Sequence, residues 1–171
     1  MALIKQLLGK APQIGENTFL AETATIIGDV TMGKDCSVWY NAVIRGDVHY
    51  IKMGDKVNVQ DNAMLHCTYQ KYPLNIGNNV SIGAFSRIIV STSLNNIGEK
   101  IKIGNNVGIG EFAYLGGSGG LEIGDDCIIG QYLSCHPENH NYEDPDIFIR
   151  YQGVNRKGIK IGKNCWIGSK V

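Results

Sequence analysis

Aliphatic residues recur every six positions through the first part of the chain: Ile14, Leu20, Ile26, Met32, Val38 and Ile44. The frame then resets and resumes at Met53, Val59, Leu65; at Ile76, Ile82, Ile88; at Ile103, Ile109, Leu115; at Ile123, Ile129, Cys135; and at Ile161, Ile167. With each of these residues taken as position i, position i+1 is Gly in twelve of the twenty hexapeptides. Position i+4 is small or β-branched, as at Ala24, Cys36, Val57, Val107 and Cys165. Position i+3 is often Asn or Asp: Asn17, Asp35, Asn62, Asn79, Asn106, Asp126, Asn164. These residue types tolerate the positive φ that a tight corner requires. A period of six is neither the helical 3.6 nor a long alternation of two. It predicts a short strand and a turn, repeated, with i and i+4 pointing inward. Every reset follows the third member of a triple, as a triangular coil requires if insertions leave at one corner only. Six full coils and two faces of a seventh result, roughly 30 Å long at the spacing of paired strands. The longest insertion covers residues 141–158.

Composition narrows the function classes. Lys+Arg and Asp+Glu are 16 each, so the 171-residue chain has no net charge, against a nucleic-acid binder built on a basic face. Hydrophobic residues make up 43%, which excludes disorder by composition. No apolar run reaches the roughly 18 residues of a membrane helix. The opening MALIKQLLGK lacks the h-region of a signal peptide, so a cytoplasmic location is expected.

The repeat resembles the hexapeptide-repeat proteins, and that resemblance implies an all-β, left-handed parallel β-helix of about seven triangular coils. It also implies a homotrimer with sites in the clefts between neighbouring prisms. Residues 1–13 would cap a single β-helix domain spanning 14–171. Within it, residues up to about 83 are similar to the γ-class carbonic anhydrase-like family. The carrying residues are the block Arg45-Gly46-Asp47, the pair Gln60-Asp61, and His66. That family holds zinc with three neutral imidazoles and an open position for water. Here His66 is the one ligand kept, as a vestige; the other two ligand positions are Ala84 and Ile89. Zinc is therefore not expected, nor is carbonic anhydrase activity. Arg45 and Asp47 are expected to form an ion pair across the trimer interface.

Residues 84–171 resemble the acetyl-CoA-dependent O-acetyltransferases of the hexapeptide class. The carrying segments are IKIGNNVGIG, then LEIGDDCIIGQYLSCHPENHNYEDPDIFIRYQG, then KGIKIGKNCWIGS. The resemblance implies a histidine base that takes the proton of a sugar-like hydroxyl as its oxygen attacks the thioester of acetyl-CoA. His140 is the expected base, with His136 as its rival. His140 sits at i+5, where the galactoside and maltose enzymes carry their histidine; His136 sits at i+1 of the third face. Ser169 matches a serine that contacts coenzyme A, and Trp166 would line the same cleft. The asparagine that the galactoside enzymes carry one coil earlier is Gly110 here.

Cys36, Cys127, Cys135 and Cys165 fall at inward positions and read as small buried hydrophobes. Cys67 reads as outward and reactive. The change of branch near residue 83 and the stop at Val171, inside the second face of a coil, read as a chimera or a truncation. An open last coil would favour end-to-end association. Three functional readings stand: an O-acetyltransferase-like protein with acetyl-CoA as donor, a γ-carbonic anhydrase-like trimer with a degraded zinc site, and a non-catalytic or engineered β-helical scaffold.

Overall fold

A computed structural model describes residues 1–67, 71–90 and 98–171. The chain is an all-β parallel β-solenoid of six complete turns, with two faces of a further one. Its faces follow the hexapeptide triples. Seven short strands, from Phe19–Leu20 to Trp166–Ile167, stack in register as the second face. The first and third faces join into one eleven-stranded sheet. They join because the strands Thr25–Met32 and Val43–Met53 run unbroken across the corner between them. The later insertions leave at this same corner, and residues 68–70 and 91–97, which fall in two of them, lie outside the described residues.

The core is the stack of i and i+4 side chains. Ile26, Ile44, Leu65, Ile88 and Leu115 are fully buried, as are Ala24, Ala42 and Val57. Each apolar side chain packs on its equivalents one coil above and below. A coil alone could not bury its interior, and the stack does so collectively. The Asn and Asp residues at i+3 of the first and second faces all sit at positive φ, from 54° at Asn79 and Asn164 to 61° at Asp126. At the corner after the first face they form a ladder: Asn79 Nδ2 donates to Asn106 Oδ1 (3.0 Å), and Asn106 Nδ2 to Asp126 Oδ1 (2.9 Å).

The corner after the second face uses Asn41 and Asn62 at positive φ in earlier coils and a different device in later ones. There Phe85, Phe112 and Tyr132 occupy positive φ, at 59°, 58° and 64°. Their rings stack almost parallel, with centroids 5.1 and 5.0 Å apart.

At the start of the chain, Leu3–Lys5 adds a parallel strand to Thr25–Ile27. After the sixth coil, Glu138–His140 pairs antiparallel with Val154–Arg156 as a two-stranded ribbon separate from the prism sheets. The ribbon begins three residues before the 141–158 excursion expected from the sequence. Its far end holds a 3-10 turn, Ile149–Tyr151; there is no α-helix among the described residues.

Cys67 corrects one expectation. It is fully buried rather than outward, because strand alternation continues one residue past Leu65 and His66 before the chain turns away. Its thiol lies 2.9 Å from the His49 carbonyl, and burial pushes its pKa up to about 11. Such a thiol is a poor nucleophile. Cys36, Cys127 and Cys135 are buried as expected, and Cys165 is half-buried.

Candidate functional site

The i+1 positions differ sharply from face to face. On the first face every one is Gly: 15, 33, 54, 77, 104, 124 and 162. On the third face they carry the chemistry. Ile27 pairs with Arg45, Arg45 with His66, His66 with Ile89, and Ile89 with Gly116. His136 follows Cys135, which pairs with Leu115, so it continues this column one coil beyond Gly116. Both histidines at i+1 therefore lie on one column of one face, with Ile89 and Gly116 between them.

At the upper end of the column, His66 is held from two sides. Its Nε2 lies 3.1 Å from Arg45 Nη2 and 3.0 Å from Asp47 Oδ1. In one tautomer Nε2 accepts from the guanidinium; in the other it donates to the carboxylate. Arg45 Nε also meets Asp47 Oδ2 at 3.4 Å. The ion pair expected across a subunit interface thus closes within one chain. Asp47 reaches this position because the strand Val43–Met53 carries extra residues where its register against Thr25–Met32 shifts, between Gly28 and Val30.

Burial lowers the pKa of His66 below its ordinary 6.5, the Arg45 charge lowers it further, and Asp47 opposes both. The unfolded chain therefore takes up this proton more readily than the folded one. The contribution of His66 to stability is complete above about pH 6.5 and is lost as pH falls from there through the lower folded midpoint. We expect the His66 ring to titrate by NMR with a midpoint below 6.5. The same reasoning predicts that His66→Gln flattens the slope of stability against pH in that window. A midpoint above 6.5 would mean that Asp47 outweighs burial.

The residues present do not fit a zinc ion. The position in register with His66 on the next coil is Ile89, 9% exposed, and Ala84 stands at the corner before Phe85. Neither has a donor atom, and the Nε2 of His66 is already engaged. No group of three or more His, Cys, Asp or Glu side chains suited to a metal comes together among the described residues.

At the lower end of the column, His136 is exposed and its ring lies flat on Tyr114, 4.7 Å between centroids and 13° from parallel. Its Nε2 is 2.8 Å from Ser134 Oγ. Neither partner stood out in the sequence, although alternation does place Ser134 on the same outward side of its strand. Pairing then sets Tyr114 beside Ser134.

His140 is carried off the prism. It is exposed on the ribbon opposite Val154, with no side-chain hydrogen bond to another described residue. Trp166 and Ser169 lie around the aromatic corner, on the second-face side. Trp166 is 82% exposed beside Ile128, itself 67% exposed, and Ser169 Oγ donates to Gln131 Oε1 at 2.7 Å. Around them the second-face i+1 column is Gly83, Gly110, Gly130 and Gly168. The structure thus unites His136 with neither His140 nor the Trp166–Ser169 pair on one face.

The family model for the bacterial transferase hexapeptide, six repeats, matches residues 11–46. With the triangular stack and its hexapeptide register, this decides the classification. The chain is a hexapeptide-repeat protein. Among the proteins it resembles, a carbonic anhydrase of Geobacillus kaustophilus is 47% identical over 75 residues, 44% of this chain and 41% of that protein. Gamma carbonic anhydrase 1 of Arabidopsis thaliana mitochondria is 38% identical over 85 residues, 47% of this chain and 31% of that one. The chain spans less than half the length of these curated relatives. A solved structure named "putative acetyltransferase" from Bacillus cereus overlays 96% of this chain and 77% of its own, with a TM-score of 0.54 and 27% identity. A hexapeptide transferase family protein of Anaplasma phagocytophilum overlays 93% of this chain and 75% of its own, with a TM-score of 0.65. At 23% identity it shares the fold.

Proposed function

We propose that this chain is a γ-carbonic anhydrase-like protein that keeps the Arg45–Asp47–His66 cluster but holds no zinc and does not hydrate carbon dioxide. One observation carries the reading: the residue in register with His66 on the following coil is Ile89. Carbon dioxide hydration by this class of site needs three imidazoles on one metal and an open position for water. The single imidazole that each chain brings to this cluster, with its Nε2 between a guanidinium and a carboxylate, does not supply that set. The relatives named as carbonic anhydrases support the family side of the reading. After incubation with zinc and dialysis, the chain is expected to retain only traces by emission spectrometry and to show no hydration in stopped-flow assays. Ala84→His combined with Ile89→His is expected to raise zinc retention strongly. Near-stoichiometric zinc in the unmodified chain would overturn the reading.

A second reading is favoured by His136, which is exposed and fixed by Ser134 and Tyr114. In this reading the chain transfers acetyl from acetyl-CoA to the hydroxyl of a sugar-like acceptor. An imidazole takes the hydroxyl proton while the oxygen attacks the thioester carbonyl. The ordered ring of His136 suits that role better than His140 on its ribbon, because a base gains from being held in place. Trp166 and Ser169 would then serve the cofactor, across a cleft in which the second face of one chain meets the third face of its neighbour in a homotrimer. Calorimetry with acetyl-CoA is expected to show binding that weakens in Trp166→Ala. His136→Ala should keep the affinity and lose turnover. Absence of binding at about millimolar ligand, the top of the usual KM range, would leave the scaffold reading.

A further inference from the structure

We propose that Ser134 and His136 form a nucleophile–base dyad that carries an acyl group covalently on Ser134. The inference rests on the acyl-transfer reading for the class of donor, an activated ester or thioester, but not for the identity of coenzyme A.

Three observations lead to it. Ser134 Oγ and His136 Nε2 are 2.8 Å apart, the reach of a hydroxyl proton to a general base. Both side chains are exposed, whereas Leu133, Cys135 and Pro137 between and beside them are buried, so the backbone beneath the pair is anchored at alternate residues. The imidazole is also fixed from the preceding coil by Tyr114, the register partner of Ser134. Gly116 makes room for that ring, because a Cβ there would lie 3.3 Å from Tyr114 Cε1. The aromatic face does for His136 what a third group does in a triad: it holds the ring with Nε2 aimed at the hydroxyl.

The chemistry balances without a further reactant. Ser134 Oγ attacks the acyl carbonyl and its proton passes to His136 Nε2. The C–S or C–O bond to the leaving group breaks, and the leaving group takes that proton. The acyl-serine is then attacked by an acceptor hydroxyl or water, whose proton goes to His136 and then to the departing Ser134 Oγ. The dyad ends as it began.

The test uses the full chain with 4-nitrophenyl acetate as the probe. Intact-mass spectrometry is expected to show one acetyl group per chain, and fragmentation should place it on Ser134. Ser134→Ala should abolish the adduct at unchanged thermal stability, as for an exposed side chain. His136→Gln should slow acetylation by about 10²–10⁴-fold, the range for loss of a general base. An acetyl group found only on lysines, or an acetylation rate unchanged in His136→Gln, would overturn the dyad. Acetyl-CoA turnover that survives Ser134→Ala and fails in His136→Gln would overturn it too, while leaving direct transfer by His136 standing. Labelled Ser134 without any acetyl-CoA turnover would support the dyad and remove the acetyl-CoA reading alone.

Discussion

Truncating Leu115 to alanine is expected to destabilise the fold by about 2–5 kcal/mol, toward the upper end of that range. Leu115 is fully buried in an interior column that runs through Ile44, Leu65, Ile88, Leu115 and Cys135, each in register with the next. The cost of such a truncation depends on how far the surroundings collapse into the space left behind. Here the coils on both sides are held apart by backbone hydrogen bonds, such as Arg87 N to Ala113 O and Tyr114 N to Leu133 O, both 2.8 Å. The column cannot close around a missing isobutyl group without breaking that ladder. Leu115 also lies directly between Tyr114 and Gly116, so the loss should loosen the ring stack that supports His136. Guanidinium unfolding should show a lower midpoint with the slope unchanged. A loss below about 1 kcal/mol would mean that the interior relaxes far more freely than a stacked solenoid allows.

The same column explains why the fold was legible in the sequence. An inward residue every sixth position fixes three faces per turn, and the placement of the resets fixes the corner where insertions leave. Both follow from local repetition, and the in-register pairing of Ile88 with Leu65 and Leu115 is the outcome. The Asn and Asp corners were legible for the same reason, since their short polar side chains tolerate positive φ and bond to the next rung.

What escaped the sequence depends on contacts between coils. The register places Phe85, Phe112 and Tyr132 at i+3, but their residue type does not mark them as left-handed corner residues, because a bulky residue there is costly, about 1–2 kcal/mol. Stacking on neighbours one coil away, at about 0.5–1.5 kcal/mol per pair, offsets that cost only once the coils are assembled. The partners of His136 were hidden in a similar way. Tyr114 is twenty-two residues distant along the chain and becomes adjacent only through pairing with Ser134. The antiparallel pairing of Glu138–His140 with Val154–Arg156 lies outside the hexapeptide rule altogether, so the displacement of His140 from the prism had no signal in the repeat.

The glycine column of the first face carries the second large expectation. Gly77→Ala is expected to cost about 1–3 kcal/mol or more, the range for forcing atoms into a filled space. A Cβ on Gly77 would stand 2.6 Å from the Gly104 carbonyl oxygen and 2.7 Å from both Gly104 C and Asn105 Oδ1. Two of these are backbone atoms of the next coil, which cannot move aside. The third accepts the hydrogen bond from Asn78 N at 2.9 Å, so displacing it breaks a rung of the corner ladder. Gly108 provides the contrast, since a Cβ there meets nothing within 4 Å. Gly108→Ala is therefore expected to be neutral or to stabilise by about 0.4–1 kcal/mol, through the reduced freedom of the unfolded chain. Thermal melts of the two variants decide whether glycine recurs at i+1 for clearance between coils or for turn formation. Opposite shifts would establish that contact between successive backbones sets the spacing at this corner. The i+1 side chains of the third face, from Arg45 to His136, stand on the same stack and take their separation from it. Equal shifts would remove the clearance argument and leave the glycine column as a matter of turn preference.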